Sequence, residues 1–164
     1  QYCPVVSIRK WIEISKIKIV IHPQSIIHSM VQFKDGSIKA QLGVPDMKIP
    51  IQYALTYPRH LPSKWERLDF KTIGDLTFEA PNFERFPCIK LAYDVLEKMG
   101  TAPAVLNFAN DYCVYRFLRE EIKFTDIPRI IEDALGNHSW LKNPKLEDIK
   151  NLDYWTKDFV NNFD

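Results

Sequence analysis

Two histidines and two serines fall within nine residues, in the segment HPQSIIHSM at positions 22–30. This segment directly follows KIKIVI, an apolar run with the alternation of a strand. Polar groups crowded at the end of a buried strand either contact a ligand or hold a turn together, and both interpretations stay open for Ser25 and His28. His22, which precedes Pro23, is interpreted as a structural residue at the strand end.

The elements around this segment carry strand signals. Ile17, Ile19 and Ile21 alternate with polar or smaller residues and predict a strand over residues 16–21. The following MVQFKDGSIKAQLG contains Asp-Gly, which is typical of a two-residue type I′ hairpin loop. Such a loop predicts an apolar face formed by two cross-strand pairs, Phe33 with Ile38 and Val31 with Ala40.

The second half of the chain changes from extended to helical patterning. Six prolines between residues 44 and 87 leave room only for short elements, namely a helix in IPIQYALTY and a strand in DLTFEAP. Beyond Pro87 the apolar residues recur at helical spacing in four segments joined by short connections. The positions predicted to face the core are Ile89, Ala92, Val95, Leu96, Met99, Val105, Ala109, Cys113, Phe117, Ile127, Ile130, Ile131, Leu135, Leu146, Ile149, Leu152, Trp155, Phe159 and Phe163, together with Trp140. Gly100 and Gly136 are predicted to end the first and third of these helices, and Thr125 and Asn143 to cap the third and fourth. The predicted fold class is therefore α+β, with strands and a β-hairpin, a Pro-rich connector and a C-terminal four-helix bundle.

Composition restricts the classes of partner. The 22 basic residues are interspersed with 21 acidic ones, and the net charge of +1 gives no basic field for nucleic acid. No apolar run reaches the ~20 residues of a membrane span, and no signal peptide is evident. Three distant cysteines, Cys3, Cys88 and Cys113, form no metal pair or disulfide framework and fit a reducing cytosol. Neither nucleic acid nor a membrane is expected as a partner.

Motifs for cofactor chemistry are missing from this sequence. The five glycines form no GxGxxG or P-loop pattern, so no nucleotide phosphate cradle is predicted. The carboxylates are scattered singly and have no spacing that would converge them on a divalent cation. No catalytic residue, cofactor-binding residue or metal ligand is therefore assigned within the chain.

Six segments follow one another in the order HPQSIIHSM, DGSIKAQLG, PDMKIPIQYAL, LTFEAP, FPCIKLAY and TAPAVLN. In this order, from about residue 17 to about residue 135, the chain closely resembles the 1-deoxy-D-xylulose 5-phosphate reductoisomerase family. The resemblance covers the second half of that enzyme. It implies that residues 1–45 end the catalytic domain, residues 46–82 form a connecting segment, and residues 83–164 form the C-terminal helical domain.

The resemblance also implies a function and a set of contacts. Members of the family are cytoplasmic homodimers that convert 1-deoxy-D-xylulose 5-phosphate to 2-C-methyl-D-erythritol 4-phosphate with NADPH and a divalent metal, Mg or Mn. Ser25, His28, Pro45 and Met47 occupy positions that bind substrate or form the active-site floor. A serine hydroxyl there can donate to a phosphate or a bridging water, and it can equally bond the backbone to shape the turn. Met47 would give an adaptable apolar wall, or the PDM segment is a plain turn.

The parts that handle NADPH and metal precede HPQS in the family. Lys10 and Glu13 imitate part of the family's metal segment, but they lie too close to His22. The chain is therefore expected to be the C-terminal portion of a dimeric enzyme that acts on a phosphorylated sugar, to need the N-terminal NADPH-binding and metal-binding part, and to be inactive alone. The alternative is a non-catalytic dimerisation or interaction module from a truncated or degenerate gene.

Overall fold

The computed structural model describes residues 13–163, so the predictions that concern Cys3 and Lys10 lie outside the described residues. These residues form a β-hairpin and a set of helices, which confirms the α+β class. The chain divides into two compact units, one made of residues 19–81 and the other of residues 13–18 and 82–163. The elements in chain order are a 3₁₀ turn at Ile14–Lys16, β1 at Ile27–Gln32, β2 at Ile38–Leu42, α1 at Lys48–Thr56, α2 at Pro87–Lys98, α3 at Ala102–Leu118, α4 at Asp126–Asn137 and α5 at Leu146–Asn161.

The hairpin forms where it was predicted, but its register differs by one residue. Val31 pairs with Lys39 and Gln32 with Ile38, because the loop contains three residues rather than two. The Phe33 N–H donates to Ser37 O at 2.9 Å, and Gly36 has φ +85, which is the pattern of a turn followed by a left-handed glycine. A slip of one residue turns every side chain to the other face. The predicted apolar face is therefore wrong.

The actual faces of the hairpin divide the apolar residues between them. Met30, Ile38, Ala40 and Leu42 share one face with Gln32, whereas Val31 and Phe33 lie on the other face with Lys39. The Lys39 Nζ lies 5.5 Å from the centre of the Phe33 ring, so its charge interacts with the ring face. Both strands are exposed along nearly their whole length. The hairpin therefore carries apolar side chains that the described residues leave uncovered.

The two short strands predicted around the hairpin reduce to a single bridge. Residues 16–21 do not form a strand, and DLTFEAP contributes only Glu79, which pairs with Ile21. The N–H of each residue donates to the carbonyl of the other at 2.9 Å. Of the three alternating isoleucines, Ile17 and Ile19 are half-buried and Ile21 is 37% exposed, so the buried face predicted from the alternation is only partly present.

The second unit is organised around α3, which packs against α2, α4 and α5. Of the inward positions predicted on α3, Val105, Ala109 and Cys113 are buried, whereas Phe117 is 37% exposed, and Met99, predicted on α2, is 41% exposed. The small residues at the buried positions let the neighbouring helices approach closely. The core residues are Val105, Ala109, Cys113, Ile127, Ile130, Ile131, Ala134 and Val160. Burial raises the pKa of the Cys113 thiol to about 12, so Cys113 is a small apolar core residue rather than a reactive thiolate.

Some helix ends differ from the prediction. α5 begins at Leu146 rather than after Asn143, and its first turn is closed by the Lys145 N–H donating to Asp148 Oδ2 at 2.8 Å. Leu146 itself is 73% exposed, so it does not join the core as predicted. α4 continues through Gly136, and Thr125 makes no side-chain cap. Trp140, also predicted as core, is exposed and donates its indole N–H to Met99 O at 3.0 Å.

Among residues 13–163, no helix combines the length and apolar character that crossing a membrane requires.

Candidate functional site

The HPQS segment forms a tight turn. The Ser25 N–H donates to His22 O at 3.0 Å, which places Pro23 at the second position of the turn, where its fixed φ is favoured. Ser25 follows with φ +53, in the left-handed region that residues other than glycine adopt only at a steric cost. The turn therefore holds the serine in a conformation that an unsupported chain would rarely visit.

Side chains on both sides of Pro23 bind the turn to the segment around Thr77. The His22 Nδ1 lies 2.8 Å from Thr77 O, and the His22 ring stacks on Phe78 with centroids 4.8 Å apart. Gln24 uses both ends of its amide, because Nε2 donates to Thr77 Oγ1 at 2.8 Å and Oε1 accepts from the Thr77 N–H at 3.2 Å. The bond from Nδ1 to a carbonyl requires the proton on that nitrogen. His22 therefore has the structural role predicted for it.

The hydroxyl of Ser25 takes no part in shaping this turn. The backbone N–H closes the turn, and within residues 13–163 the Ser25 side chain makes no hydrogen bond. The side chain is exposed. A donor that makes no bond within residues 13–163 is available to a ligand oxygen or to water.

His28 lies in a β-bulge of β1. Ile27 pairs with Leu42 and Ser29 with Gln41, so His28 is the extra residue between two ladder pairs. Bulges are frequent next to active sites because they redirect a side chain. The imidazole is exposed, and a Cβ built on Gly43 would lie 3.9 Å from His28 Cε1. Gly43 begins the loop that carries Pro45 and Met47, so the structure brings His28 close to the start of that loop.

Pro45 and Met47 lie on either side of a locally ordered aspartate. Asp46 Oδ1 accepts from the Lys48 N–H at 2.9 Å, and this bond lowers the pKa of the Asp46 carboxyl. Lys48 Nζ lies 3.2 Å from Asp46 Oδ2. Met47 is 70% exposed and Pro45 is also exposed. The PDM loop therefore presents a flexible thioether outward, with its backbone fixed by the aspartate.

A concave pocket of about 530 Å³ lies in the same unit, beside the end of β2 and along α1. Its lining includes Gly43 and the aromatic pair Tyr53 and His60, whose rings stack 4.4 Å apart. None of the four predicted site residues is among the residues that line it. Sequence reasoning missed this pair, because residues seven apart across a helix end and a proline give no contact signal.

Among residues 13–163, the side chains that could bind a metal ion and the glycines that could bind a dinucleotide lie apart from one another. Within residues 13–163, no group of three His, Cys, Asp or Glu side chains is placed to hold a metal ion. The glycines lie in separate turns and do not form the loop that cradles a pyrophosphate. No chemical step is therefore assigned to a metal or cofactor held by these residues.

The sequence matches between this chain and known proteins agree with one another. A family model described as the DXP reductoisomerase C-terminal domain matches residues 42–159. The chain is 54% identical over 144 residues to the 1-deoxy-D-xylulose 5-phosphate reductoisomerase of Acetivibrio thermocellus, with 88% of this chain and 38% of that protein covered. It is 50% identical over 154 residues to the enzyme of the same name from Chloroherpeton thalassium, with 92% and 40% covered. These matches do not favour the alternative of a non-catalytic module.

Solved structures agree with the sequence matches. The reductoisomerase of Zymomonas mobilis in complex with NADPH superposes with a TM-score of 0.84 at 41% identity, covering 92% of this chain and 40% of that chain. A DOX-P reductoisomerase in complex with NADPH, fosmidomycin and magnesium superposes with a TM-score of 0.81 at 38% identity, covering 87% and 37%. The chain thus spans about two fifths of the length of these relatives. It belongs to the DXP reductoisomerase family and carries that family's C-terminal domain.

Proposed function

We propose that this chain is the C-terminal part of a 1-deoxy-D-xylulose 5-phosphate reductoisomerase. The complete enzyme converts 1-deoxy-D-xylulose 5-phosphate to 2-C-methyl-D-erythritol 4-phosphate with NADPH and a divalent metal, Mg or Mn, in non-mevalonate isoprenoid biosynthesis. The relatives are 1-deoxy-D-xylulose 5-phosphate reductoisomerases, and related solved structures are complexes with NADPH, fosmidomycin and magnesium, which supports this proposal. In this assignment residues up to 45 end the catalytic domain, residues 46–82 connect, and residues 83–164 form the helical domain.

The observation that carries the proposal is that some polar side chains of HPQSIIHSM hold the turn and others are exposed. His22 and Gln24 are used to hold the turn, whereas the Ser25 hydroxyl and the His28 imidazole remain exposed. In the complete enzyme, Ser25 donates to the substrate phosphate or to a water that bridges to it. His28 orients a neighbouring polar group at the active-site floor, and Pro45 and Met47 form an apolar wall that excludes water.

Metal and NADPH bind to the part of the enzyme that precedes HPQS in the family. When bound there, the metal polarises oxygens of the substrate and the cofactor carries the reduction. The residues of this chain contribute binding and support. Positioning of this kind accounts for a large share of catalysis, because it replaces a chance encounter by a fixed geometry.

The test of this function is an activity assay on the complete protein that contains this chain. We expect the complete protein to oxidise NADPH only when 1-deoxy-D-xylulose 5-phosphate and Mg²⁺ or Mn²⁺ are present. We expect the purified 164-residue chain to show neither turnover nor NADPH affinity. Substrate-dependent NADPH oxidation by the 164-residue chain, or an inactive complete protein, would contradict the proposal.

We also propose that the complete enzyme is a cytoplasmic homodimer and that the hairpin contributes to the interface. The face that carries Met30, Ile38 and Leu42 is apolar apart from Gln32, and these three side chains are 42%, 58% and 36% exposed. Exposed apolar strands need covering, and a symmetric second copy provides it.

Replacing Ile38 by Lys places a charge on this face, so we expect the dissociation constant of the complete dimer to rise by at least about tenfold. Light scattering coupled to gel filtration measures the mass over a dilution series. Leu55→Lys is the matched control, since Leu55 is 82% exposed on α1 in the same unit. Equal dimer stability in the two variants would argue against the hairpin interface.

A further inference from the structure

The strongest unassigned feature is the way the HPQS turn is attached to residues 77–79. Ile21 and Glu79 form a complete antiparallel bridge, so the next pair of hydrogen-bonded residues would be Pro23 and Thr77. Pro23 has no N–H and cannot donate to Thr77 O. A regular ladder therefore cannot continue past Ile21, and the backbone groups of Thr77 need other partners.

The side chains of His22 and Gln24 supply those partners. His22 Nδ1 binds Thr77 O at 2.8 Å, and Gln24 Oε1 accepts from the Thr77 N–H at 3.2 Å. Gln24 adds a second bond from Nε2 to Thr77 Oγ1 at 2.8 Å. Its amide thus acts as a substitute peptide group, with one donor and one acceptor directed at a single residue.

The contacts of His22 and Gln24 with Thr77 restrict the backbone conformation of Ser25. Ser25, which follows Gln24, has φ +53. Ile26, the next residue, is fixed by a hydrogen bond in which the Gly43 N–H donates to Ile26 O at 3.0 Å. Ser25 is therefore the single residue between two anchored ones. Because its own side chain makes no hydrogen bond within residues 13–163, its orientation depends on those anchors.

We propose that Gln24 is a positioning residue, which holds Ser25 in its left-handed conformation for a phosphorylated substrate by binding Thr77 through both ends of its amide. This role depends on the proposed function, since it assumes that Ser25 contacts the substrate. In this geometry the Thr77 hydroxyl accepts the hydrogen bond from Gln24 Nε2, so removing the hydroxyl should weaken the attachment of the turn.

Steady-state kinetics of the complete enzyme test the role. We expect Gln24→Ala to raise KM for 1-deoxy-D-xylulose 5-phosphate by about fivefold to tenfold, with kcat reduced less and KM for NADPH unchanged, because hydrogen bonds of this kind contribute about a factor of ten. Thr77→Val, which removes the hydroxyl, should raise the same KM by about threefold. Thr77→Ser keeps the hydroxyl and should restore the KM of the unsubstituted enzyme.

A double-mutant cycle separates positioning from general stability. If Gln24 acts through Ser25, then Gln24→Ala should raise KM by less than about twofold in a Ser25→Ala background, since neighbouring residues that act together are not additive. Additive effects on KM, or a Gln24→Ala variant that keeps its KM while only its melting temperature falls, would overturn this role alone. An unsubstituted enzyme without turnover would instead overturn the proposed function, and this role with it.

Discussion

Replacing Gly100 by Ala should lower the free energy of unfolding of the helical unit by about 3 to 4 kcal/mol. Gly100 follows α2 with φ +60, where a side chain is strained. A Cβ at this position would overlap Leu141 O and would lie 2.9 Å from Trp140 Nε1 and 3.0 Å from Leu141 C. Urea unfolding followed by helical circular dichroism measures the change.

The overlap cannot be relieved by a small movement, because three hydrogen bonds join the two loops. The Thr101 N–H donates to Leu141 O at 3.0 Å, and the Leu141 N–H donates to Thr101 Oγ1 at 3.0 Å. The third bond joins Trp140 Nε1 to Met99 O. Thr101 is only 1% exposed, so any shift would leave buried polar groups without partners.

Gly136→Ala is the matched control for this prediction. Gly136 lies inside α4, and a Cβ there would meet nothing within 4 Å. Alanine reduces the conformational freedom of the unfolded chain at no steric cost in the folded one. The free energy of unfolding of this variant should therefore rise by about 0.5 to 1 kcal/mol. A Gly100→Ala variant as stable as Gly136→Ala would contradict the close packing between residues 100 and 141.

The helices were predictable because their apolar spacing reports directly which face is buried. Ile127, Ile130 and Ile131 recur at helical spacing, and all three are in the core. The ends of helices were harder, because capping competes among neighbouring polar residues. Asn143 is a good cap by type, yet the chain begins α5 later and uses Asp148 to bind the Lys145 N–H.

The hairpin shows how one turn residue can mislead. Asp35-Gly36 suits a two-residue loop and equally a three-residue loop with glycine in the left-handed position. Here Asp35 Oδ1 accepts from the Ser37 N–H at 2.9 Å and from the Ser37 hydroxyl at 2.6 Å, which also lowers the pKa of the Asp35 carboxyl. Those bonds favour the longer loop. The side-chain pattern alone does not contain this information.

The candidate site was only partly readable from the sequence. The crowding of polar residues in HPQSIIHSM predicts either a ligand contact or a turn held by side chains, and the structure shows the side chains that hold the turn. His22 and Gln24 hold the turn, whereas the side chain of Ser25 is left exposed. Their partner Thr77 lies more than fifty residues away in the chain. A contact over that separation leaves no local pattern, so the contacts of Gln24 with Thr77 could not be predicted from the sequence.

Replacing Arg116 by Met should lower the free energy of unfolding by about 2 to 4 kcal/mol. The Arg116 side chain is only 15% exposed and projects from α3 to the end of α5. Its Nη1 donates to Val160 O and, at 2.9 Å, to Phe163 O, while its Nε lies 3.3 Å from Glu121 Oε2. Carbonyls at a helix end have no partner within the helix, and a cation there also interacts favourably with the helix dipole.

Methionine keeps the apolar stem of Arg116 but removes every donor, so the loss measures hydrogen bonding and charge rather than packing. Arg116→Lys should recover less than half of the loss, because one ammonium group cannot reproduce the fork that serves two carbonyls and a carboxylate. Arg119→Met is the matched control. Arg119 lies three residues further on and is exposed, so its replacement should change the free energy of unfolding by less than about 0.5 kcal/mol. Equal stability of Arg116→Met and Arg119→Met in urea unfolding would show that Arg116 does not fix the end of α5 to α3.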